Sequence, residues 1–155
     1  MTGDLSLPDF VEFVRAAGMG VVATASPSGK PEAALAGIAV SDCGELIFDA
    51  PAGARKLTNI ERNDRVAAVI GWNDGVSVQV EGTARVVNND ERRRYERLYA
   101  SQFRGSRVTH ASFEVAVVTP DWVRRYDATS DPAQCAYANW LTGPALSRGH
   151  ENLRA

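Results

Sequence analysis

Three tight turn signals, Ser26-Pro27-Ser28-Gly29, Asp42-Cys43-Gly44 and Asn73-Asp74-Gly75, each sit between short apolar runs too brief for helices. Parallel neighbours need a crossover of a dozen or more residues, and these turns leave no room for one, so the flanking strands must form antiparallel hairpins. The strands read as Val21–Ala25, Glu32–Val40, Glu45–Asp49, Arg65–Trp72 and Val76–Val87. In the last of these Val76, Val78 and Val80 alternate with Ser77, Gln79 and Glu81, and Gly82 stands where a bulge would bend it. Two further strands, Phe113–Val118 and Trp122–Ala128, flank an expected break at Thr119-Pro120-Asp121.

Helical patterns are few. Ser6-Leu7-Pro8-Asp9 has the form of a helix start, and Phe10, Phe13, Val14 and Ala17 make one apolar stripe that Gly18 ends. A short helix is expected over Arg55–Arg62, with Leu57 and Ile60 inward and Asn63-Asp64 as its stop. Asn89 or Asp90 is expected to cap another, in which Tyr95, Leu98, Tyr99 and Gln102 share a face. About six to seven strands in hairpins with short flanking helices predict an α+β, mainly antiparallel fold, a closed or nearly closed barrel. Residues 1–130 form the expected domain. Residues 131–155 show no readable pattern and are expected to be part of that domain or a dimer arm.

Composition narrows function mainly by exclusion. With 155 residues, 45% of them hydrophobic and 23% charged, the chain can bury a core without staples, and disorder is excluded. A net charge of -2 gives no overall positive field for nucleic acid or anionic lipid. No apolar run approaches a membrane span, and the first twelve residues carry acids but no Lys or Arg, so a cytoplasmic protein is expected. Cys43 and Cys135 are too few for a disulfide framework or a zinc site. His110 and His150 have no partners at ligand spacing, so no metal is expected.

Several motifs read better as ordinary structure. Gly18-Met19-Gly20 has the letters of a dinucleotide fingerprint, but that mechanism needs a strand before the glycines and a helix after, and here the order is reversed. The run Asp90–Arg97 alternates in sign at helical spacing, as a solvated helix face does. Arg55-Lys56 is more informative. It follows a glycine-containing loop and opens a short helix, so two cations and free backbone N–H groups converge, an arrangement suited to an anion. Only two of the seventeen basic residues are Lys, and Lys56 is one of them. The competing reading is a surface lysine in a first helical turn.

Taken in order, Gly20–Thr24 with the Ser26–Pro31 turn, Phe48–Lys56, Asn59-Ile60, Asn63–Val66, Ile70–Trp72, Val78–Ala84 and Pro120–Arg124 form a familiar series. It resembles the pyridoxamine 5'-phosphate oxidase-like, FMN-binding split-barrel family over about residues 5 to 130. The resemblance implies a split β-barrel and a homodimer with FMN in a groove between two barrels. By that analogy Arg55 and Lys56 bind the flavin phosphate, and Asp49 and Ala50 lie beside the ribityl chain and phosphate. Ala34, Leu35 and Ala36 offer backbone to the isoalloxazine ring, and Ser77 contacts the flavin. Small residues on that strand fit close approach to a flat ring, and fit tight barrel packing equally well. Ala54 departs from the family, which often has Ser there. The implied activity is a flavin-dependent oxidoreductase acting on a small molecule, with no catalytic side chain identified. The alternatives are a non-catalytic flavin- or haem-binding module, or an enzyme using a deazaflavin coenzyme.

True pyridoxamine 5'-phosphate oxidase resembles a chain with an Arg and a Lys at the two ends of the second-strand segment, where this chain has Ala33–Ile38. Its closing Arg-x-His motif is matched by Arg148-Gly149-His150, but only five residues follow. The chain is therefore expected not to be that enzyme.

Overall fold

The computed structural model describes residues 2–141, in the order β1 (Thr2–Leu5), α1 (Leu7–Ala17), β2 (Met19–Ala25), β3 (Pro31–Gly37), β4 (Ala39–Val40), β5 (Leu46–Pro51), α2 (Arg55–Arg62), β6 (Arg65–Ile70), β7 (Val76–Val87), α3 (Asn89–Gln102), β8 (Phe113–Asp127) and β9 (Gln134–Ala138). Ser6 caps α1: its Oγ accepts from the Asp9 N–H at 3.3 Å and donates to the Asp9 carboxylate at 2.6 Å. Gly18, at φ +67°, turns the chain from α1 into β2 in a left-handed conformation that costs glycine little.

The strands follow the order β1-β9-β8-β7-β6-β2-β3, with β5 joining β4 to β8. All pairs are antiparallel except β1 with β9. The sheet curls into a barrel that is not closed. Val22, Ile38, Leu46, Phe48, Ile70, Val78, Val80 and Val123 fill its interior, plugged by Phe10 and Val14 of α1 and by Leu57 and Ile60 of α2. A second cluster lies under α3, where Tyr95 and Tyr99 pack on Ile47, Val87, Val115 and Val117. Among the described residues no helix is long and apolar enough to cross a membrane.

The architecture is the split, mainly antiparallel barrel that the sequence predicts, and four details differ. The strand expected over Glu32–Val40 breaks at Ile38, because β3 pairs with β2 whereas β4 leaves it to pair with β5. The break expected at Pro120 is absent: β8 runs through it. Glu81 faces Trp122 and Gly82 faces Pro120, so Asp121 is the extra residue of a bulge, where a proline lacking its N–H is tolerated. Asn88, not Asn89 or Asp90, is the N-cap of α3. Among the described residues nine strands replace six or seven, since β1 and β9 were not foreseen. Residues 134–138 thus belong to the same sheet. Arg148-Gly149-His150 lies outside the described residues.

Candidate functional site

The split has a definite origin. β4 and β5 pair as far as Ala39 opposite Ile47; beyond that point the two strands diverge. Over Pro31–Gly37 one edge of β3 is bonded to β2, and among the described residues the other edge has no strand partner. A row of backbone donors and acceptors therefore faces the gap between β3 and β5. Ala34 and Ala36 alternate toward the barrel interior with Val22 and Gly20 as partners, while Leu35 points outward and is 56% exposed.

At the point of divergence Tyr99 of α3 bridges the strands. Its hydroxyl lies 3.1 Å from Asp49 Oδ1 and 3.3 Å from the Gly37 carbonyl oxygen. Burial first, and then the Asp49 charge, push the Tyr99 phenol well above its ordinary range, so it remains a donor. Asp49 is half-buried and Ala50, inward on β5, is buried.

Past β5, Pro51–Ala54 turns into α2. Ala54, the N-cap, supplies no side-chain hydrogen bond, and the first turn holds no acid. The Ala54 and Leu57 N–H groups donate to the Pro51 and Ala54 carbonyls at 3.0 Å, and the Arg55 and Lys56 N–H groups are left open to an outside acceptor. Arg55 is exposed and Lys56 half-buried, and neither joins an ion pair among the described residues. The helix itself is anchored. Buried Asn59 donates to Thr24 Oγ1 at 2.9 Å, and Thr24 in turn donates to Glu32 Oε2 at 2.9 Å, tying α2 to β2 and β3.

Asp49 and Ala50 on β5 and Ala34, Leu35 and Ala36 on β3 thus lie on the two sides of one split, and Arg55 and Lys56 open the helix that follows β5. Ser77 is placed elsewhere. It lies on the outward face of β7, opposite Tyr126, three strands from β3, about 14 Å at ordinary strand spacing. Sequence reasoning did not single out Tyr99, Thr24, Glu32 or Asn59 for this site. Tyr99 was read only as part of an apolar helix face, and its hydroxyl is what matters here. Within Asp90–Arg97, Asp90 pairs with Arg93, Arg92 with Glu96, and Glu91 with Arg85 of β7, the neighbouring opposite charges that the solvated-face reading expects.

Open strand edge, small residues and a basic, uncapped helix start fit a flat ligand with an anionic arm. The fold itself defines a split-barrel protein. Residues 7–127 match the sequence profile of the pyridoxamine 5'-phosphate oxidase family, and the chain belongs to that family. A pyridoxine/pyridoxamine 5'-phosphate oxidase of Rubrobacter xylanophilus is 36% identical over 89 residues, 57% of this chain but 40% of that protein. The chain therefore spans well under two thirds of this curated relative. Among solved structures, a heme binding protein from Mycobacterium smegmatis superimposes with TM-score 0.65 at 18% identity, over 78% of this chain and 54% of that one. A pyridoxamine 5'-phosphate oxidase-related, FMN binding protein from Nostoc punctiforme does so with TM-score 0.62 at 13% identity, over 83% and 85%. At these identities the likeness speaks for the fold.

Proposed function

We propose that this protein binds FMN along the split between β3 and β5 and acts as a flavin-dependent oxidoreductase on a small molecule other than pyridoxamine 5'-phosphate. The observation that carries the reading is the uncapped start of α2, with Arg55 and Lys56, four residues after the end of β5, the strand that borders the split. Arg55, Lys56 and the leading N–H groups of α2 hold the phosphate. Asp49 and Ala50 flank the ribityl chain, and the β3 backbone at Ala34–Ala36 orients the ring. When bound, the flavin supplies hydride or electron transfer, and the protein contributes anchoring, orientation and exclusion of water. Ser77 reaches the flavin from a second copy of the chain, which is consistent with its distance from β3.

Charge-assisted hydrogen bonds contribute about 1.5–3 kcal/mol, so Lys56→Ala should weaken FMN roughly ten- to a hundredfold, while riboflavin, which lacks the phosphate, binds variant and parent alike. Equal FMN affinity in both would place the phosphate elsewhere. The absorbance of the purified protein separates FMN from a deazaflavin or haem, and the heme binding neighbour makes haem the reading to exclude first. Anaerobic reduction by NADH or NADPH separates an enzyme from a non-catalytic module.

The proposal excludes pyridoxamine 5'-phosphate because that substrate brings a second phosphate. Ala33–Ile38 offers it no cation, and losing about two charge-assisted bonds, on the order of 3–6 kcal/mol, removes micromolar affinity. The FMN-loaded protein, incubated with pyridoxamine 5'-phosphate and oxygen, is expected to form no pyridoxal phosphate. Turnover at rates typical of enzymes overturns the exclusion.

A further inference from the structure

We propose that the cavity between the C-terminal half of α1 and the β6–β7 hairpin is a second ligand site, built for a small planar aromatic monocarboxylate whose carboxylate Arg125 holds. The cavity encloses about 430 Å3, within the range of about 300–1,000 Å3 usual for small-molecule sites. None of the residues proposed for FMN lines it.

Arg125 is out of place on β8. Val123, two residues before it on the same face, is buried, and so is Val78, its partner in the β7 register. Strand alternation calls for an apolar side chain at that position, and the chain has a cation there that lines the cavity instead. Among the described residues its only side-chain bond runs from Nη2 to Asp127 Oδ2 at 3.3 Å. The other oxygen of Asp127 is taken by the Thr129 N–H and hydroxyl, at 3.0 and 2.6 Å. One long contact leaves most of the guanidinium donors without a protein acceptor, and a planar fork of this kind matches a carboxylate with two parallel bonds.

The rest of the wall is mostly apolar. Trp72 and Met19, 47% and 46% exposed, line the cavity together with Phe13 and Val76. An aromatic ring placed among them buries the open indole face and meets the Met19 sulfur. Phe13 is held in place by Gly71, at φ +66°, where a Cβ would lie 2.8 Å from the Phe13 ring. The Ala128 N–H donates to the Gly75 carbonyl at 2.9 Å, which ties the hairpin to the end of β8. The wall is therefore set before any ligand arrives. Asp74 also lines the cavity, exposed and with no ion-pair partner among the described residues. Its charge disfavours a second carboxylate, which makes the fitting ligand a monoanion.

The test titrates 2-naphthoate, its neutral amide and 2,6-naphthalenedicarboxylate into the full-length protein, with and without an excess of FMN, read by calorimetry. The parent is expected to bind 2-naphthoate saturably below about 1 mM. It should bind the amide and the diacid about tenfold or more weakly. Arg125→Gln should erase the preference for the acid and bind the amide as the parent does, which shows that the cavity is intact. Ala16→Phe, a ring added at an exposed position of the wall, should weaken acid and amide together. No binding in the parent, equal binding of acid and amide, or a preference that survives Arg125→Gln overturns the inference. So does loss of 2-naphthoate on adding FMN, which places the acid in the split. A parent that shows the Arg125-dependent preference and binds no FMN supports this site and overturns the FMN reading alone.

Discussion

Single residues decide the two places where this barrel bends or opens. At Gly82 a Cβ would lie 2.3 Å from the Thr119 carbonyl oxygen and 3.0 Å from Pro120 Cα, both backbone atoms that cannot swing aside. Gly82→Ala is expected to cost about 1–3 kcal/mol in urea unfolding, as overpacking does, unless the bulge between Glu81 and Gly82 is rebuilt. The glycine was legible from the sequence as a bulge. Its partner Pro120 was misread as a break, because the pattern of one strand does not reveal what faces it. Tyr99 gives a second check at this scale. Burial and Asp49 raise its phenol above the ordinary value of 10.0, so the folded state keeps the proton that the unfolded chain gives up. Its contribution is full below about pH 10 and is lost as pH climbs further toward the folded value. The parent should lose stability above pH 10 more steeply than Tyr99→Phe, with denaturant midpoints between pH 9 and 11 as the measurement. Tyr95, also raised by burial and by Glu45, keeps part of the slope in the variant.

Among the elements, α2 links stability to the site most directly. Eight residues cannot hold a helix alone in water, so the proposed anion-binding turn exists only while Leu57, Ile60 and Asn59 stay docked. Replacing Asn59 by Leu strands the Thr24 hydroxyl with one partner fewer in a buried setting. It should cost about 1–3 kcal/mol in chemical denaturation and weaken FMN more than riboflavin, because the proposed phosphate donors ride on this helix. Equal loss for both flavins would argue against α2 as the phosphate anchor. The sequence showed this helix and its basic start, since turn, apolar spacing and stop all agreed. It did not show the Thr24–Glu32–Asn59 chain, whose members are polar residues far apart in sequence and joined only by the β2–β3 register. β1 and β9 escaped for a related reason: Thr2–Leu5 and Gln134–Ala138 have little apolar alternation of their own, and their extended form comes from pairing with each other and with β8.

For the whole molecule the outward face of the sheet is the open question, and its chemistry argues for a second copy. Leu35 on β3, Val21 on β2 and Val69 on β6 lie side by side in register, and Leu35 and Val69 are 56% and 37% exposed. Met19, Trp72 and Tyr126 are further exposed large apolar side chains. A row of aliphatic side chains across adjacent strands is more than the scattered exposure usual for a monomer. The patch borders the open edge of β3 on one side and reaches Ser77 on the other, so two copies packed across it would bring one chain's Ser77 toward the other's split. An isologous contact of this kind buries the patch on both partners at once. Two chains also cover a flavin better than one shallow split can. Light scattering on the FMN-loaded protein at micromolar concentration should therefore give twice the chain mass. Val69→Asp, with a charge in the middle of the row and no buried neighbour disturbed, should shift it to the monomer while the far-ultraviolet spectrum stays that of the parent. FMN affinity should fall with the dimer, about tenfold or more, because half of the proposed ring environment leaves with the partner. A monomer that holds FMN as tightly as the parent would show that one split suffices and that the apolar face serves some other contact.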